Sequence, residues 1–545
     1  MDEMIGMTRL AELFPLARAM GRRFILHVGP TNSGKTWAAM ERLAAARAGV
    51  YLAPLRLLAL EGAEQLQARG VPADLLTGEE KRSTPGARHV SATVEMADFG
   101  KTIDVAVIDE AQMLADPSRG WAWSAALYGI PASEIILCGS ADMIPFAEAI
   151  LEKTGETMEI VRFERKTPLD VVRGPENIDG LERGDAVIAF SRNEVMRLRR
   201  EIMETGRSVA CIYGALGPEV RRAEAERFRD GRADVIVATD AIGMGLNLPI
   251  RRLIFSALSK YDGVSERRLS DSEIRQIGGR AGRFGQFERG FVGCLGTPTP
   301  PFVERALLAA PAEDDDDVRP YAFPSWEIVA AAARHLGSDS LPHILHWTCS
   351  AVLEADGGCR VADVEDAMAL ARIGHGTGLP LKTRYIYAAC PVDLRDLEAL
   401  PLLRRWMLAH AAGETVPHPR WNENDIPKDD RDLQQVERIV RRIGAYLWCA
   451  MRWKRAFAFP DDAKAERDRL NGLIEAALRT ARALVDGRKS HGGGRADRTE
   501  KKTADKAEPG PAQGRKGIRK PGARAGGRGK NEKHGQVAKG RKKSK

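Results

Sequence analysis

The sequence lacks any hydrophobic run long enough to cross a membrane. Its apolar stretches, such as residues 105–108, are short, whereas a membrane-spanning helix needs roughly 20 apolar residues. We therefore predict that no membrane is involved. The chain begins Met1-Asp2-Glu3-Met4, with acids where secretory and mitochondrial presequences carry basic residues. This start predicts a cytoplasmic location.

The sequence also lacks paired cysteines. Its seven cysteines are scattered through 545 residues, and no two have the CxxC spacing. That spacing is typical of zinc sites, and closely spaced cysteines in a short secreted chain are typical of disulfide frameworks. The pattern supports neither, and the cysteines are interpreted as small buried residues.

A chain of this length with 43% hydrophobic residues predicts several separate cores. Short β-rich runs alternate with helical patterns, which is typical of parallel sheets covered by helices. In the first half the predicted strands are 24–28, 49–53, 89–92, 105–108 and 135–138. A second set follows at 186–190, 209–213, 234–238, 253–256 and 291–295. After Gly296 the pattern changes to Ala-, Leu- and Arg-rich helices.

The predicted domains are therefore an α/β domain at 1–163, another at 164–310, a mainly helical accessory domain at 311–487 and a tail at 488–545. The tail holds 20 Lys or Arg against 5 Asp or Glu, which gives it a net charge of +15. This charge exceeds the whole chain's net charge of +8. The tail has no aromatic residue, so we expect it to be a disordered basic segment that tethers RNA through nonspecific charge.

A phosphate-binding loop follows the first predicted strand. Its sequence is Gly29-Pro30-Thr31-Asn32-Ser33-Gly34-Lys35-Thr36. In this strand-to-helix context the glycines allow backbone N–H groups to surround the β-phosphate, and Lys35 supplies positive charge. The Thr36 hydroxyl can bind Mg²⁺. All eight residues are predicted to bind ATP.

Two carboxylates end the strand at 105–108, in Asp109-Glu110-Ala111-Gln112. At the carboxyl edge of a parallel sheet they would lie beside the phosphate loop. Asp109 is predicted to hold Mg²⁺ together with Thr36, and Glu110 to activate the attacking water.

The second α/β domain carries Gln276-Ile277-Gly278-Gly279-Arg280-Ala281-Gly282-Arg283. Arg280 and Arg283 are one helical turn apart, so we expect both to face one way and to reach the γ-phosphate across a cleft. Gln276 and these arginines join Lys35, Asp109 and Glu110 as the predicted catalytic residues. In the preceding stretch, 238–249, Gly243 and Gly245 are further candidates for nucleotide binding.

The order of these motifs resembles helicase superfamily two over residues 24–297. The sequences of residues 29–36, 53–61, 77–80, 92–96 and 212–216 are similar to the motifs of the degradosome-type RNA helicases of mitochondria and their bacterial relatives. The resemblance implies two tandem RecA-like domains, an ATP hydrolase that uses ATP and Mg²⁺, and 3′-to-5′ movement on single-stranded RNA or on a duplex with a single-stranded overhang. It also allows an exoribonuclease partner.

The resemblance further implies a set of residues that follow the nucleic-acid backbone. They are Pro54, Arg56, Thr77, Gly78 and Thr93 on the first lobe, and Ser191, Arg192 and Thr239 on the second. For each single residue, ordinary helix capping or a loop turn is a competing interpretation. Two departures stand out: Gly139-Ser140-Ala141-Asp142 replaces the usual Ser-Ala-Thr, and residues 1–23 contain no glutamine to read adenine.

Two alternatives remain open at this stage. Backbone-contact residues cannot by themselves distinguish RNA from DNA, so a DNA translocase is one alternative. An RNA clamp that uses ATP only as a switch and never unwinds a duplex is the other.

Overall fold

The computed structural model describes residues 10–243, 248–263, 265–308, 317–353 and 358–480. Gly245 and the basic tail lie outside the described residues. Among the residues described, no helix is long and apolar enough to cross a membrane, and all seven cysteines are free and buried.

Lobe one is built around a sheet of eight described strands in the order β4-β3-β5-β2-β6-β7-β1-β8. The strands are β1 (Arg23–Val28), β2 (Gly49–Ala53), β3 (Ala73–Leu76), β4 (Lys81–Arg82), β5 (His89–Thr93), β6 (Ile103–Ile108), β7 (Ala132–Gly139) and β8 (Met158–Arg162). Its helices are α1 (Pro15–Arg18), α2 (Lys35–Ala44), α3 (Arg56–Ala68), α4 (Gly120–Gly129) and α5 (Ile144–Thr154). Every pairing is parallel except β3 with β4.

Lobe two repeats the design with six described strands in the order β11-β12-β10-β13-β16-β9, all parallel. The elements are β9 (Leu169–Val171), β10 (Asp185–Ile188), β11 (Val209–Ile212), β12 (Val235–Ala238), β13 (Arg252–Phe255), β14 (Ser259–Tyr261), β15 (Glu266–Arg268) and β16 (Gly290–Cys294). Its helices are α6 (Arg192–Glu204), α7 (Pro218–Arg229), α8 (Asp271–Gly278) and α9 (Pro301–Leu308). Strands β14 and β15 form a separate antiparallel hairpin.

These sheets confirm the two tandem α/β lobes. All ten predicted strands are present, because buried parallel strands consist of continuous Val, Ile, Leu and Ala runs. Four strands at or next to a sheet edge were missed: β3, β4, β8 and β9 are short or partly exposed and carry charged residues. The segment 163–168 connects β8, on the edge of the first sheet, to β9, on the edge of the second.

The mainly helical C-terminal region is also confirmed. It contains β17 (Tyr321–Ala322) and β18 (Arg360–Val361), with α10 (Trp326–Leu336), α11 (Leu341–Trp347), α12 (Glu365–Gly374), α13 (Leu381–Tyr387), α14 (Ala399–Ala411), α15 (Asp430–Arg452) and α16 (Pro460–Arg479). Its apolar core is continuous with one face of the lobe-two sheet, since Val187, Val209 and Val237 share a cluster with Trp406 and Tyr446.

The lobes also contact each other directly. Leu57 of α3 is buried in the core of lobe two. In addition, Nη1 of Arg222, on α7, lies 2.7 Å from Oε1 of Glu64, on α3. Short one-turn helices complete the fold: 3₁₀ helices at Leu10–Leu13, Val94–Met96, Ala111–Ala115, Ala141–Met143, Ile178–Gly180 and Asp240–Gly243, and a π-helix at Thr348–Leu353.

Candidate functional site

The phosphate loop connects β1 to the first turn of α2, as the sequence predicts. Asn32 and Gly34 adopt left-handed backbone angles, with φ of 61° and 90°, which turn the loop sharply at the start of the helix. The hydroxyl oxygens of Thr31 and Ser33 are buried without a hydrogen-bond partner. Lys35 is buried, and its Nζ donates to the carbonyl oxygen of Pro30 at 3.2 Å. The loop therefore presents unpartnered hydroxyls and an ammonium group to an anion.

Asp109 ends β6 directly beside this loop. Its Oδ1 accepts a hydrogen bond from Thr36 Oγ1 at 3.2 Å, and its Oδ2 accepts one from the Tyr51 hydroxyl at 2.8 Å. Burial and, to a smaller extent, the neighbouring Glu110 carboxylate raise the pKa of Asp109 to about 6. A buried carboxylate next to a hydroxyl is a donor set that suits Mg²⁺, and the cation would offset the cost of burying the charge. Thr36 and Asp109 thus fit the predicted metal.

Glu110 lies at the mouth of the cleft between the lobes. It is one of two described non-glycine residues with positive φ, at 49°, a conformation that costs energy and is often found at functional sites. Gln112 Nε2 donates to Glu110 Oε2, and Gln112 Oε1 accepts from the backbone N–H of Ser140 at 3.3 Å. Gln112 thereby connects the carboxylate to the segment that replaces Ser-Ala-Thr.

The arginines of lobe two are not on one helix face, so that prediction is wrong. Helix α8 ends at Gly278, because two consecutive glycines stop it, and both arginines follow in the loop. Arg280 donates to the carbonyl oxygen of Gly243, and its Nη2 lies 3.6 Å from Glu110 Oε1 across the cleft. Gln276 packs against Gly243.

The charge of Arg283 is influenced by groups other than Glu110. Burial lowers its pKa, and Arg229 lowers it further, whereas Glu61 of α3 raises it. Burial in turn raises the pKa of Glu61 to about 7. Arg283 is therefore within electrostatic range of a carboxyl group in α3, while Arg280 lies beside the predicted water-activating carboxylate.

Sequence reasoning missed a residue that joins the two halves of the site. Arg165, in the segment between the sheets, donates to the carbonyl oxygen of Thr31 at 3.2 Å and to that of Gly279 at 2.7 Å. It also donates to Ala281 O, and burial lowers its pKa to about 10. One guanidinium thus holds the phosphate loop against the arginine loop. Its only sequence signal is a charged run before Pro168.

The two loops approach so closely that Gly279 has no room for a side chain. A Cβ on Gly279 would lie 2.0 Å from Thr31 Oγ1. Gly279→Ala should therefore separate the lobes, since overpacking costs about 1–3 kcal/mol. We expect about a tenfold lower rate of RNA-stimulated ATP hydrolysis, measured at saturating RNA.

Gly472→Ala is the matched control, because a Cβ on that glycine of α16 meets nothing within 4 Å. The control should keep the wild-type rate. A Gly279→Ala protein with unchanged hydrolysis would show that the contact with Thr31 is not needed for the reaction.

The nucleic-acid candidates of lobe one lie together at the carboxyl edge of its sheet. Arg56 Nη1 donates to Glu79 Oε2 at 2.6 Å, and Thr77 is buried with its hydroxyl accepting from Glu80 N at 3.1 Å. A Cβ on Gly78 would lie 3.3 Å from Trp448 of α15. Thr93 is buried, and the Pro54 carbonyl accepts from Arg119 at 2.7 Å. Their role toward nucleic acid stays a prediction.

The candidates of lobe two have local partners as well. Ser191 Oγ caps α6 by accepting from Glu194 N at 3.1 Å, and Thr239 Oγ1 accepts from Ala241 N at 3.3 Å. Arg192 donates to Asp430 at 2.7 Å and to Glu437 at 3.0 Å. Both carboxylates belong to α15, so Arg192 attaches lobe two to the helical region. A phosphate contact by Arg192 requires these ion pairs to open.

Two family models match the lobes. Residues 11–163 match the DEXQ-box helicase domain of Suv3, and residues 175–285 match the helicase conserved C-terminal domain. A mitochondrial DExH-box ATP-dependent RNA helicase of Arabidopsis thaliana, DExH16, is 38% identical over 85% of this chain and 82% of its own. The chain belongs to the Suv3-type helicases. The predicted superfamily and its ATP-hydrolysing class are thereby confirmed.

Other Suv3-type relatives extend the similarity. Mitochondrial ATP-dependent RNA helicase SUV3 of Oryza sativa is 37% identical over 87% of this chain and 83% of its own. Human mitochondrial SUPV3L1 is 35% identical over 88% of this chain and 63% of its own. The cytoplasmic location predicted from the acidic first residues is wrong, because these relatives are all named as mitochondrial.

Proposed function

We propose that this Suv3-type protein is an ATP-dependent RNA helicase that moves 3′ to 5′ and acts in RNA turnover. The observation that carries the proposal is the composite site across the cleft, where Arg280 of lobe two lies 3.6 Å from Glu110 of lobe one. A site divided between two lobes is complete only when they are closed, so binding and hydrolysis of ATP can drive their relative movement. The relatives are named ATP-dependent RNA helicases, which supports RNA as the nucleic acid.

The chain's own residues account for the hydrolytic step. Lys35 and the loop amides hold the phosphates, and Glu110 accepts a proton from the attacking water. Arg280 and Arg283 bring positive charge from lobe two to the γ-phosphate as negative charge develops on it. Mg²⁺, held by Thr36 and Asp109, would neutralise part of the phosphate charge.

Gln112 is the proposed connection between hydrolysis and movement. It binds Glu110 on one side and the Ser140 backbone on the other. A change in the charge or position of Glu110 during hydrolysis would therefore be transmitted through Gln112 to the start of the segment 140–143. This link can perform the coupling role of the Ser-Ala-Thr sequence that the chain lacks.

A route for the strand runs between lobe one and the helical region. A cavity of about 980 Å³ lies there, and Arg452 beside it approaches Gly78 O at 3.4 Å. The aromatic side chains in its lining are Phe14, Phe99, Trp121, Tyr321, Phe323, Trp326, Tyr385 and Trp448. Aromatic rings bind single strands without regard to sequence, because every base has a face that stacks. This chemistry suits a motor that processes many RNAs.

A duplex-unwinding assay tests the proposal. The substrates are one RNA duplex with a 3′ overhang, the same duplex with a 5′ overhang, and the DNA equivalents of both. We expect ATP-dependent unwinding of the 3′-overhang RNA at least about tenfold faster than of the other three. A motor of this polarity would supply single strands to an exoribonuclease, the partner class we propose.

The other outcomes point to the competing functions. Equal activity on the DNA substrates would favour a DNA translocase. RNA-stimulated hydrolysis without strand separation on any substrate would favour an RNA clamp that ATP switches.

A further inference from the structure

An exposed aromatic ring lies beside the phosphate loop. Phe284 directly follows Arg283, and 57% of its surface is exposed. Lys166, from the segment between the lobes, places its Nζ 4.8 Å from the centroid of that ring. The same Nζ lies 3.8 Å from the position that a Cβ on Gly34 would occupy. The phosphate loop, the connecting segment and lobe two therefore meet at this point.

In the described part of the chain, Phe284 and Lys166 contact each other. Phe284 is one of the most exposed large hydrophobic residues there, whereas most phenylalanines are buried. Lys166 has no ion-pair partner among the described residues. A surface cation–π contact alone is worth only about 0.5–1 kcal/mol. An exposed ring and a free ammonium group beside a phosphate loop suit a ligand that has an aromatic end and an anionic end.

A nucleoside triphosphate is such a ligand. Its phosphates occupy the loop at 29–36, so its base must lie to one side of that loop. Residues 10–23 contain no glutamine to read adenine by hydrogen bonds, and the exposed ring of Phe284 offers stacking as a means of holding the base. Stacking of a base on an aromatic side chain is worth about 1–3 kcal/mol and tolerates any base.

We propose that Phe284 is the platform on which the base of ATP stacks, and that Lys166 binds an oxygen of the phosphate chain. The inference rests on the proposed ATP hydrolysis and extends it to the nucleoside end of the ligand. Phe284 belongs to lobe two and Gly34 to lobe one, so a bound nucleotide holds the lobes together through its base as well as through its γ-phosphate.

Inorganic tripolyphosphate separates the two contributions, because it has the phosphates of ATP without the nucleoside. Equilibrium binding of ATP and of tripolyphosphate, both with Mg²⁺ and without RNA, is measured for each variant by titration calorimetry. Phe284→Ala should weaken ATP binding about tenfold and leave tripolyphosphate binding unchanged. Phe284→Trp should restore ATP binding. Lys166→Ala should weaken both ligands by a similar factor.

Two matched controls come from elsewhere on the surface. Lys382→Ala removes the lysine of another lysine–aromatic pair, 5.7 Å from the Trp326 ring, and Phe459→Ala removes another exposed ring. Both should bind ATP and tripolyphosphate as the wild type does.

The outcomes distinguish this inference from the proposed function. A Phe284→Ala protein that binds ATP normally, or that loses both ligands equally, would overturn the platform. Failure of the wild-type protein to bind ATP would instead overturn the ATP-driven function itself.

Discussion

Lys35→Ala and Glu110→Gln are expected to fail at different steps. Lys35 contacts the phosphates in the ground state, so its loss should weaken ATP binding, and hydrolysis should fall because little nucleotide is bound. Glu110 acts on the water, so Glu110→Gln should bind ATP with near wild-type affinity. Its turnover should fall by about 10²–10⁴, the usual contribution of a general base. The bound, unhydrolysed ATP should keep the protein trapped on RNA.

The geometry makes Glu110→Gln a clean test. A glutamine oxygen can still accept the hydrogen bond from Gln112, so the link to Ser140 survives the substitution. Glu41→Gln is the control, since Glu41 lies on α2, the helix that follows the phosphate loop, and forms an exposed ion pair with Arg69 at 2.7 Å. ATP affinity and single-turnover hydrolysis are measured for each protein. Hydrolysis by Glu110→Gln at the wild-type rate would refute the assignment of the water-activating carboxylate.

Local patterns account for what the sequence predicted well. The phosphate loop and Asp109 each follow a buried apolar strand, and parallel strands bring their carboxyl ends to one sheet edge. Their meeting, at 3.2 Å between Thr36 and Asp109, needs only the two strands to share that sheet. Strand periodicity is a short-range property, so it can be read directly from the sequence.

Contacts between distant segments account for what was missed. Arg165 acts by binding carbonyl oxygens of Thr31 and Gly279, and a backbone acceptor leaves no trace in the sequence. The partner of Arg192, Glu437, is 245 residues away. Nothing in the pattern around either residue identifies the other. A resemblance to known motifs suggested a phosphate contact for Arg192, but it could not show that α15 supplies two carboxylates.

The end of α8 illustrates a smaller error with a mechanistic consequence. A spacing of three residues predicted that Arg280 and Arg283 share a helix face. Because the helix stops at Gly278, the two arginines lie in a loop rather than on one helix face, and Arg280 lies 3.6 Å from Glu110. The arginines can therefore make separate contributions, and single substitutions should not be equivalent.

Arg280→Ala and Arg283→Ala together are expected to abolish RNA-stimulated hydrolysis while each lobe stays folded. An arginine that stabilises the transferring phosphoryl group is worth on the order of a thousandfold or more in rate. Arg280 lies closer to the water-activating carboxylate, so we expect Arg280→Ala to cost more than Arg283→Ala. Arg280→Lys should recover little, since an ammonium group lacks the planar fork of donors.

Arg289→Ala is the matched control for these variants. Arg289 lies in the same lobe, beyond the arginine loop, and forms an exposed ion pair with Asp170 at 2.8 Å. The turnover rate is measured at saturating ATP and RNA, and ATP affinity is measured separately. Because the phosphate loop belongs to lobe one, the double variant should still bind ATP. Hydrolysis that survives removal of both arginines would exclude a site composed from the two lobes, and with it a motor driven by closure around ATP.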